Sequence, residues 1–299
     1  MDAFERLRYY KVGERDFTGA YLRAIPMQSF CLRGVNLLSA NLYRAYLNGA
    51  RLIDVNLSHG NLAGVRLVNS ILINVNLSGA DLEIADLRGA HLIDVDLTGA
   101  NLSRAKLDYT RLCGVNLQNA ILDDVEITSD TTFCSTTMPD GSVQNHPTRV
   151  LPAQELLARY AAGERNFERI VLHRADLSGA NLCFAQMIDA SFSYVNFSGA
   201  NCQPAGWMGS RIVFSDLRNA NLQGLYLDYA LVICSDFRGA NLTPVSPEAT
   251  IFLECNFSGA KWVRTGGRVM ETLLHTTWVD GTIINPLDSD FYGSRENGW

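Results

Sequence analysis

Residues 72–102 read LINVNLSGADLEIADLRGAHLIDVDLTGANL, and the spacing inside this stretch decides the fold. Leu72, Leu77, Leu82, Leu87, Leu92, Leu97 and Leu102 recur at every fifth position. Two residues before each of the last six stands something small or β-branched: Val75, Ala80, Ala85, Ala90, Val95 and Ala100. A period of five fits neither the 3.6 of a helix nor the 2.0 of a strand. Something must turn the chain after every five residues, always in the same sense, as along the sides of a coil.

The phase extends far in both directions. It starts at Phe17, passes through Leu32, Leu52 and Leu112 to Leu122 and Ile127, and resumes at Phe167. It then runs through Leu182, Phe197, Trp207 and Leu227 to Leu242, lapses at Pro247, and returns at Phe252, Phe257 and Trp262. A longer period is superposed, since LIDVNL at 52–57, LINVNL at 72–77 and LIDVDL at 92–97 lie twenty residues apart. Four five-residue sides per coil make a square all-β solenoid, stacked at roughly the 4.8 Å spacing of paired strands. The large central residue and the small one two before it point inward, and the other three face solvent.

With these residues in view, the sequence resembles the pentapeptide repeat family over about 20–127 and 165–262. The resemblance implies a right-handed quadrilateral β-helix. The lead-in GERDF (13–17) and the exit TTMPDGS (136–142) look like members from photosynthetic bacteria, some of which resemble developmental or assembly regulators. Another branch of the family mimics duplex DNA and inhibits or protects DNA gyrase.

An open solenoid needs caps at its ends, and the sequence supplies them twice. DAFERLRYYKV (2–12) and PAQELLARYAA (152–162) read as short helices, stopped by Gly13 and Gly163. Phe4 and Leu7 in the first, and Leu156, Leu157 and Tyr160 in the second, are placed to cover the first coil. Asp140-Gly141 and Asp280-Gly281 mark an exit hairpin after each array. The expectation is two β-helix modules, 1–150 and 151–299, joined by a short proline-bearing linker.

Lys and Arg number 25 against 31 Asp and Glu, for a formal net charge of -6. Such a balance lacks the basic stripe of a nucleic-acid binder, so no direct nucleic-acid binding is expected. No stretch approaches the roughly 20 apolar residues of a membrane span, and the N-terminus has no apolar signal core. Seven Cys without framework spacing suit a reducing compartment, so the expected location is the cytoplasm.

Catalytic, cofactor and metal sites are expected to be none. His59, His91, His146, His173 and His275 are scattered, without metal-ligand spacing, and read as surface or cap positions. Cys202 and Cys255 fall on inward slots; Cys31, Cys113, Cys183 and Cys234 fall on outward ones. Asp81, Asp86, Asp96, Asp176, Asp216 and Asp236 recur at one slot, which points to side-chain caps on turn N–H groups rather than to acid–base chemistry.

What departs from the pattern is one side of the coil. The outward slot after the centre reads Arg33, Ile53, Ile73, Ile93 and Cys113 in the first module, and His173, Ser193, Val213, Ile233 and Leu253 in the second. Ile71 and Phe214 lie beside these columns. An outward aliphatic ladder of this length approaches the patch size that marks contact surfaces. Three uses stay open: docking a protein partner, packing of one module or one copy on another, and plain strand stacking. The function expected is a non-enzymatic interaction or scaffold module with an unidentified protein partner, self-association being compatible with it. The alternative is a DNA mimic acting on gyrase. Net charges of -2 for 1–150 and -4 for 151–299 make a poor copy of DNA.

Overall fold

A computed structural model describes residues 13–146, 149–264 and 272–284. The helix expected over 2–12 lies outside the described residues. The chain divides between residues 147 and 148 into two compact units, and each is a β-solenoid.

In the first unit one side of every coil is a three-residue strand. These are β1 (Cys31–Arg33), β2 (Arg51–Ile53), β3 (Ile71–Ile73), β4 (His91–Ile93), β5 (Arg111–Cys113) and β6 (Thr132–Cys134). They stack in that order as one parallel sheet. The register aligns Leu32, Leu52, Leu72, Leu92 and Leu112 at twenty-residue steps, with Phe133 one residue beyond the next step. The exit hairpin pairs β7 (Thr136–Thr137) with β8 (Val143–Gln144) antiparallel, as the Asp-Gly signal requires.

The second unit opens with α1 (Ala153–Ala161), which follows an extended Pro152 and ends before Gly163, whose φ is +98°. Leu156 is fully buried, and Leu157 and Tyr160 pack on the same core. Then come β9 (Val171–His173), β10 (Ser191–Ser193), β11 (Arg211–Val213), β12 (Leu225–Tyr226), β13 (Leu231–Ile233), β14 (Asn241–Ser246), β15 (Ile251–Leu253), β16 (Lys261–Arg264), β17 (Thr272–Leu274), β18 (Thr276–Thr277) and β19 (Ile283–Ile284). β9, β10, β11, β13, β15 and β17 stack in parallel, β12, β14 and β16 form a second sheet, and β18 with β19 is the exit hairpin.

Inward slots behave as the period demands. The leucines from Leu32 to Leu117 and the small residues between them are at most 4% exposed, Leu32 being the most open of them. The second unit fills the same slots with rings. Phe192, Phe197 and Trp207 lie with centroids 5.1–5.3 Å apart, and Phe237 stacks on Phe257 at 4.7 Å. Aromatic pairs of this geometry add about 0.5–1.5 kcal/mol beyond area burial. Where a hydroxyl takes a small inward slot, it donates to a buried carbonyl: Ser70 Oγ to Leu67 O at 2.6 Å and Thr110 Oγ1 to Leu87 O at 2.8 Å. Pro247, where the pattern lapses, is buried and keeps the slot filled. Ile127 departs from its inward assignment and is 46% exposed, because it ends the last repeat before the longer final step and no bridge stacks beyond it among the described residues.

Nearly every turn places one residue in the left-handed region, Pro204 and Pro244 being exceptions. Gly79 (φ +63°) and Asn69 (φ +56°) adopt it at little cost. Ile84 does so at φ +54°, a conformation that strains a β-branched side chain.

Candidate interaction surfaces

The strand side comes first because the sequence points to it. Ile53 and Ile73 are 0% exposed, Ile93 and Val213 2%, Ile233 0%, Leu253 2% and Ile71 5%; Phe214 is half-buried. Cys113, at 1%, belongs with them, as does His91. The expectation that this slot stands in water is therefore corrected. In-register strands put Ile53, Ile73 and Ile93 directly above one another, so Ile73 has an isoleucine on either side, Ile93 lies between Ile73 and Cys113, and Ile53 between Arg33 and Ile73. They lie outside the clusters that fill the two interiors. Beside the second column, Tyr194 stacks on Phe214 at 5.3 Å, and His173 Nδ1 lies 2.9 Å from Ser193 Oγ.

On the other sides of the coil the recurring acids and amides cap turns. Oδ1 of Asp81, Asp96, Asp176, Asp216 and Asp236 accepts from the backbone N–H two residues on, at 3.0–3.1 Å. Amides link successive coils: Asn56 Nδ2 donates to Asn36 Oδ1 at 2.9 Å, and Asn196 Nδ2 to Asp176 Oδ1 at 3.0 Å. Three of these carboxylates also carry an arginine two residues on. Arg88 sits on Asp86 at 2.7 Å, Arg218 on Asp216 at 2.6 Å and Arg238 on Asp236 at 2.6 Å. Hydrogen bonds from Arg88 and Arg218 hold the Asp86 and Asp216 carboxyls below the usual carboxylate range.

Two of these sides in the first unit break this habit of pairing over part of their length, although Asp86–Arg88 and Glu83–Arg104 keep it. Bridges fix their columns as Tyr21–Asn41–Asn61–Asp81–Asn101–Ile121 and Pro26–Tyr46–Arg66–Asp86–Lys106–Glu126, giving six levels. On the first three levels Arg23 and Arg44 lie over the Tyr43 ring at 4.8 and 5.1 Å, and Arg66 over Tyr46 at 5.2 Å. All three arginines are exposed, and among the described residues none makes an ion pair with a carboxylate. On the sixth level Asp123, Asp124 and Glu126 are exposed and equally lack a Lys or Arg at ion-pair distance among the described residues. On the fourth, Glu83 is bonded to Arg104, and Ile84 is 45% exposed. Residues 13–70 carry six basic and three acidic residues; 71–130 carry four and ten. This segregation escapes a scan for apolar departures, but appears when the outward residues are written in columns twenty apart.

Among the described residues no group of His, Cys, Asp and Glu is arranged to hold a metal ion, and no helix is long and apolar enough to cross a membrane. Cys202 and Cys255 are buried, and burial pushes both thiols up to about 12.

The profile for pentapeptide repeats matches in eight copies over residues 16–58, 50–89, 85–119 and 166–201. The chain belongs to the pentapeptide repeat family. Among solved structures it is similar to HetL, a pentapeptide repeat protein involved in heterocyst differentiation regulation from the cyanobacterium Nostoc sp. strain PCC 7120. The identity is 26% over 95% of this chain and 100% of that one, with a TM-score of 0.34. It is also similar to Rfr23 from the cyanobacterium Cyanothece 51142, at 28% over 43% and 98%, TM-score 0.34. QnrB1, a plasmid-mediated fluoroquinolone resistance protein, aligns at 15% over 71% and 86%, TM-score 0.25. No curated protein sequence matches the chain.

Proposed function

We propose that the chain is a non-enzymatic interaction module, a rigid β-solenoid that offers side chains at fixed spacing to a protein partner. The observation that carries this reading is the cluster of Arg23, Arg44 and Arg66 on the faces of Tyr43 and Tyr46. Elsewhere the coil tends to neutralise its arginines with a neighbouring carboxylate; here three exposed guanidiniums are held by rings and keep their donors for another molecule. Arg and Tyr are the residue types most enriched at binding hot spots. Side chains preset by stacking lose less freedom on docking. The aliphatic strand-side columns, being buried, serve the stack instead.

The DNA-mimic alternative needs a continuous unpaired negative surface, whereas Asp86, Asp216 and Asp236 each carry an arginine. Affinity capture from host extract tests the proposal, comparing wild type with Arg23→Ala/Arg44→Ala/Arg66→Ala. A protein retained by wild type and lost from the variant is expected; a protein retained equally by both overturns it.

A further inference from the structure

We infer that the partner of this arginine–tyrosine surface is a second copy of the same chain, laid antiparallel across the same two sides of the first unit. The inference rests on the interaction reading above and adds the occupant. Its basis is that the two sides carry both halves of a contact. Levels one to three present arginines without carboxylates, and level six presents Asp123, Asp124 and Glu126 with no Lys or Arg at ion-pair distance, among the described residues, although Lys106 stacks one level below Glu126.

Both groups are exposed and lie on the same pair of columns. A two-fold axis through the fourth level places level two of each copy on level six of the other. Arg44, framed by Tyr43 and Tyr46, then faces Asp123, Asp124 and Glu126, and the symmetry operation forms the same contact again at the far end. An isologous pairing of this kind uses one patch twice and closes at two copies. Level three meets level five, where Arg66 faces Lys106 and Asp108 together, and Arg104 is already held by Glu83.

The axis passes the side chain of Ile84, which is 45% exposed and sits at φ +54°. Isoleucine is the costly choice for that conformation, since the same turn slot takes Gly64 one level below and Arg104 one level above. A strained β-branched residue kept at an exposed turn is a mark of use rather than of folding. At the two-fold axis Ile84 meets its own symmetry mate and gives the charged ring an apolar centre, the arrangement that excludes water from an interface.

The test is the mass of the full chain in solution, by light scattering after gel filtration and by sedimentation velocity. A species of twice the chain mass is expected in dilute buffer, shifting to monomer in about 1 M salt, where charges are screened within roughly 3 Å. Arg44→Glu/Arg66→Glu and Asp123→Arg/Asp124→Arg should each raise the dimer dissociation constant about tenfold or more, with both variants still folded because all four positions are exposed, the second melting slightly lower because Asp124 sits at φ +53°. Mixing the two variants one to one should restore a dimer, since every reversed charge then meets its complement. A monomer at all concentrations, a dimer indifferent to both variants, or assembly beyond two copies overturns the inference. If wild type is monomeric yet the alanine variant still loses a protein from extract, only the self-pairing falls; if the dimer forms as described but nothing is captured, the occupant is settled as the second copy.

Discussion

Ile73 lies in register with Ile93 across β3 and β4, and both are withdrawn from water although neither belongs to the solenoid's interior. A charge at this column therefore has nowhere to go. Ile73→Glu buries a carboxylate between Ile53 and Ile93, two levels from Arg33 at the end of the column, which is 3.6 Å from Asp54. The expected loss is on the order of 4 kcal/mol, or a fall in melting temperature of about 10 °C for a unit of this size. A scanning melt of the variant decides. An unchanged midpoint would mean that the column opens to solvent, as its outward slot suggests.

The interior makes a harsher demand. Leu77→Asp places a carboxylate among Leu57, Leu97 and the other stacked leucines, where every neighbour is apolar. The first unit is expected to lose its cooperative transition while the second, with its own core, keeps one. Circular dichroism melts reveal this directly, as one surviving transition of reduced amplitude. Two transitions at wild-type temperatures would show Leu77 to be misplaced.

These two positions show what was legible in the residues and what was not. Leu77 could be assigned inward because its period of five has one physical solution, a chain turned four times per coil. Turn and helix-stop signals outside the repeat gave the Asp140-Gly141 hairpin and a helix over 152–162, which spans Ala153–Ala161. Ile73 was assigned to the correct slot and the wrong environment, since a repeat gives the direction of a side chain within its own coil but not what surrounds it. The arginine–tyrosine cluster was missed for a different reason. Arg23, Tyr43 and Arg66 each look ordinary in their own pentad, and only the twenty-residue register that brings them together gives them a common meaning.

Acid sensitivity follows from the turn caps. The Asp86 and Asp216 carboxyls are held below their ordinary range, chiefly by hydrogen bonds from Arg88 and Arg218. A carboxylate with a depressed native pKa contributes stability that is present above its unfolded value of about 3.9 and is lost as pH falls through the native value. The melting temperature is expected to hold between about pH 7 and 5 and to decline below about pH 4. In Arg88→Ala/Arg218→Ala the native values rise towards the unfolded one, so these carboxyls contribute less above pH 4 and the decline flattens. A decline of the same slope in wild type and variant would remove these pairs as its cause.

Thiol reactivity offers a map of burial that needs no mutation. Cys113, Cys134, Cys202 and Cys255 are buried, whereas Cys31, Cys183 and Cys234 are partly open. With Cys202 and Cys255 pushed up to about 12, almost no thiolate exists at neutral pH, and the thiolate is the reacting form. A disulfide reagent at about pH 8 should label at most the three open cysteines in native protein and all seven after denaturation. Peptide mapping that found label on Cys202 or Cys255 under native conditions would contradict the packing of the second unit.

Ile84 separates the needs of folding from those of contact. Its left-handed backbone, at φ +54°, disfavours a β-branched residue, while its side chain is 45% exposed and reaches the neighbourhood of Gly64. Asparagine tolerates that conformation by bonding its own backbone. Ile84→Asn is therefore expected to leave the fold as stable or more so, by up to about 1 kcal/mol, which is a rise in melting temperature of up to about 4 °C. The same variant should weaken self-association, since it removes the apolar centre of the pairing. Thermal melts and sedimentation on one preparation give both readouts. A variant that melts several degrees lower would show Ile84 to be packed for stability, and its strain would then have no bearing on a partner.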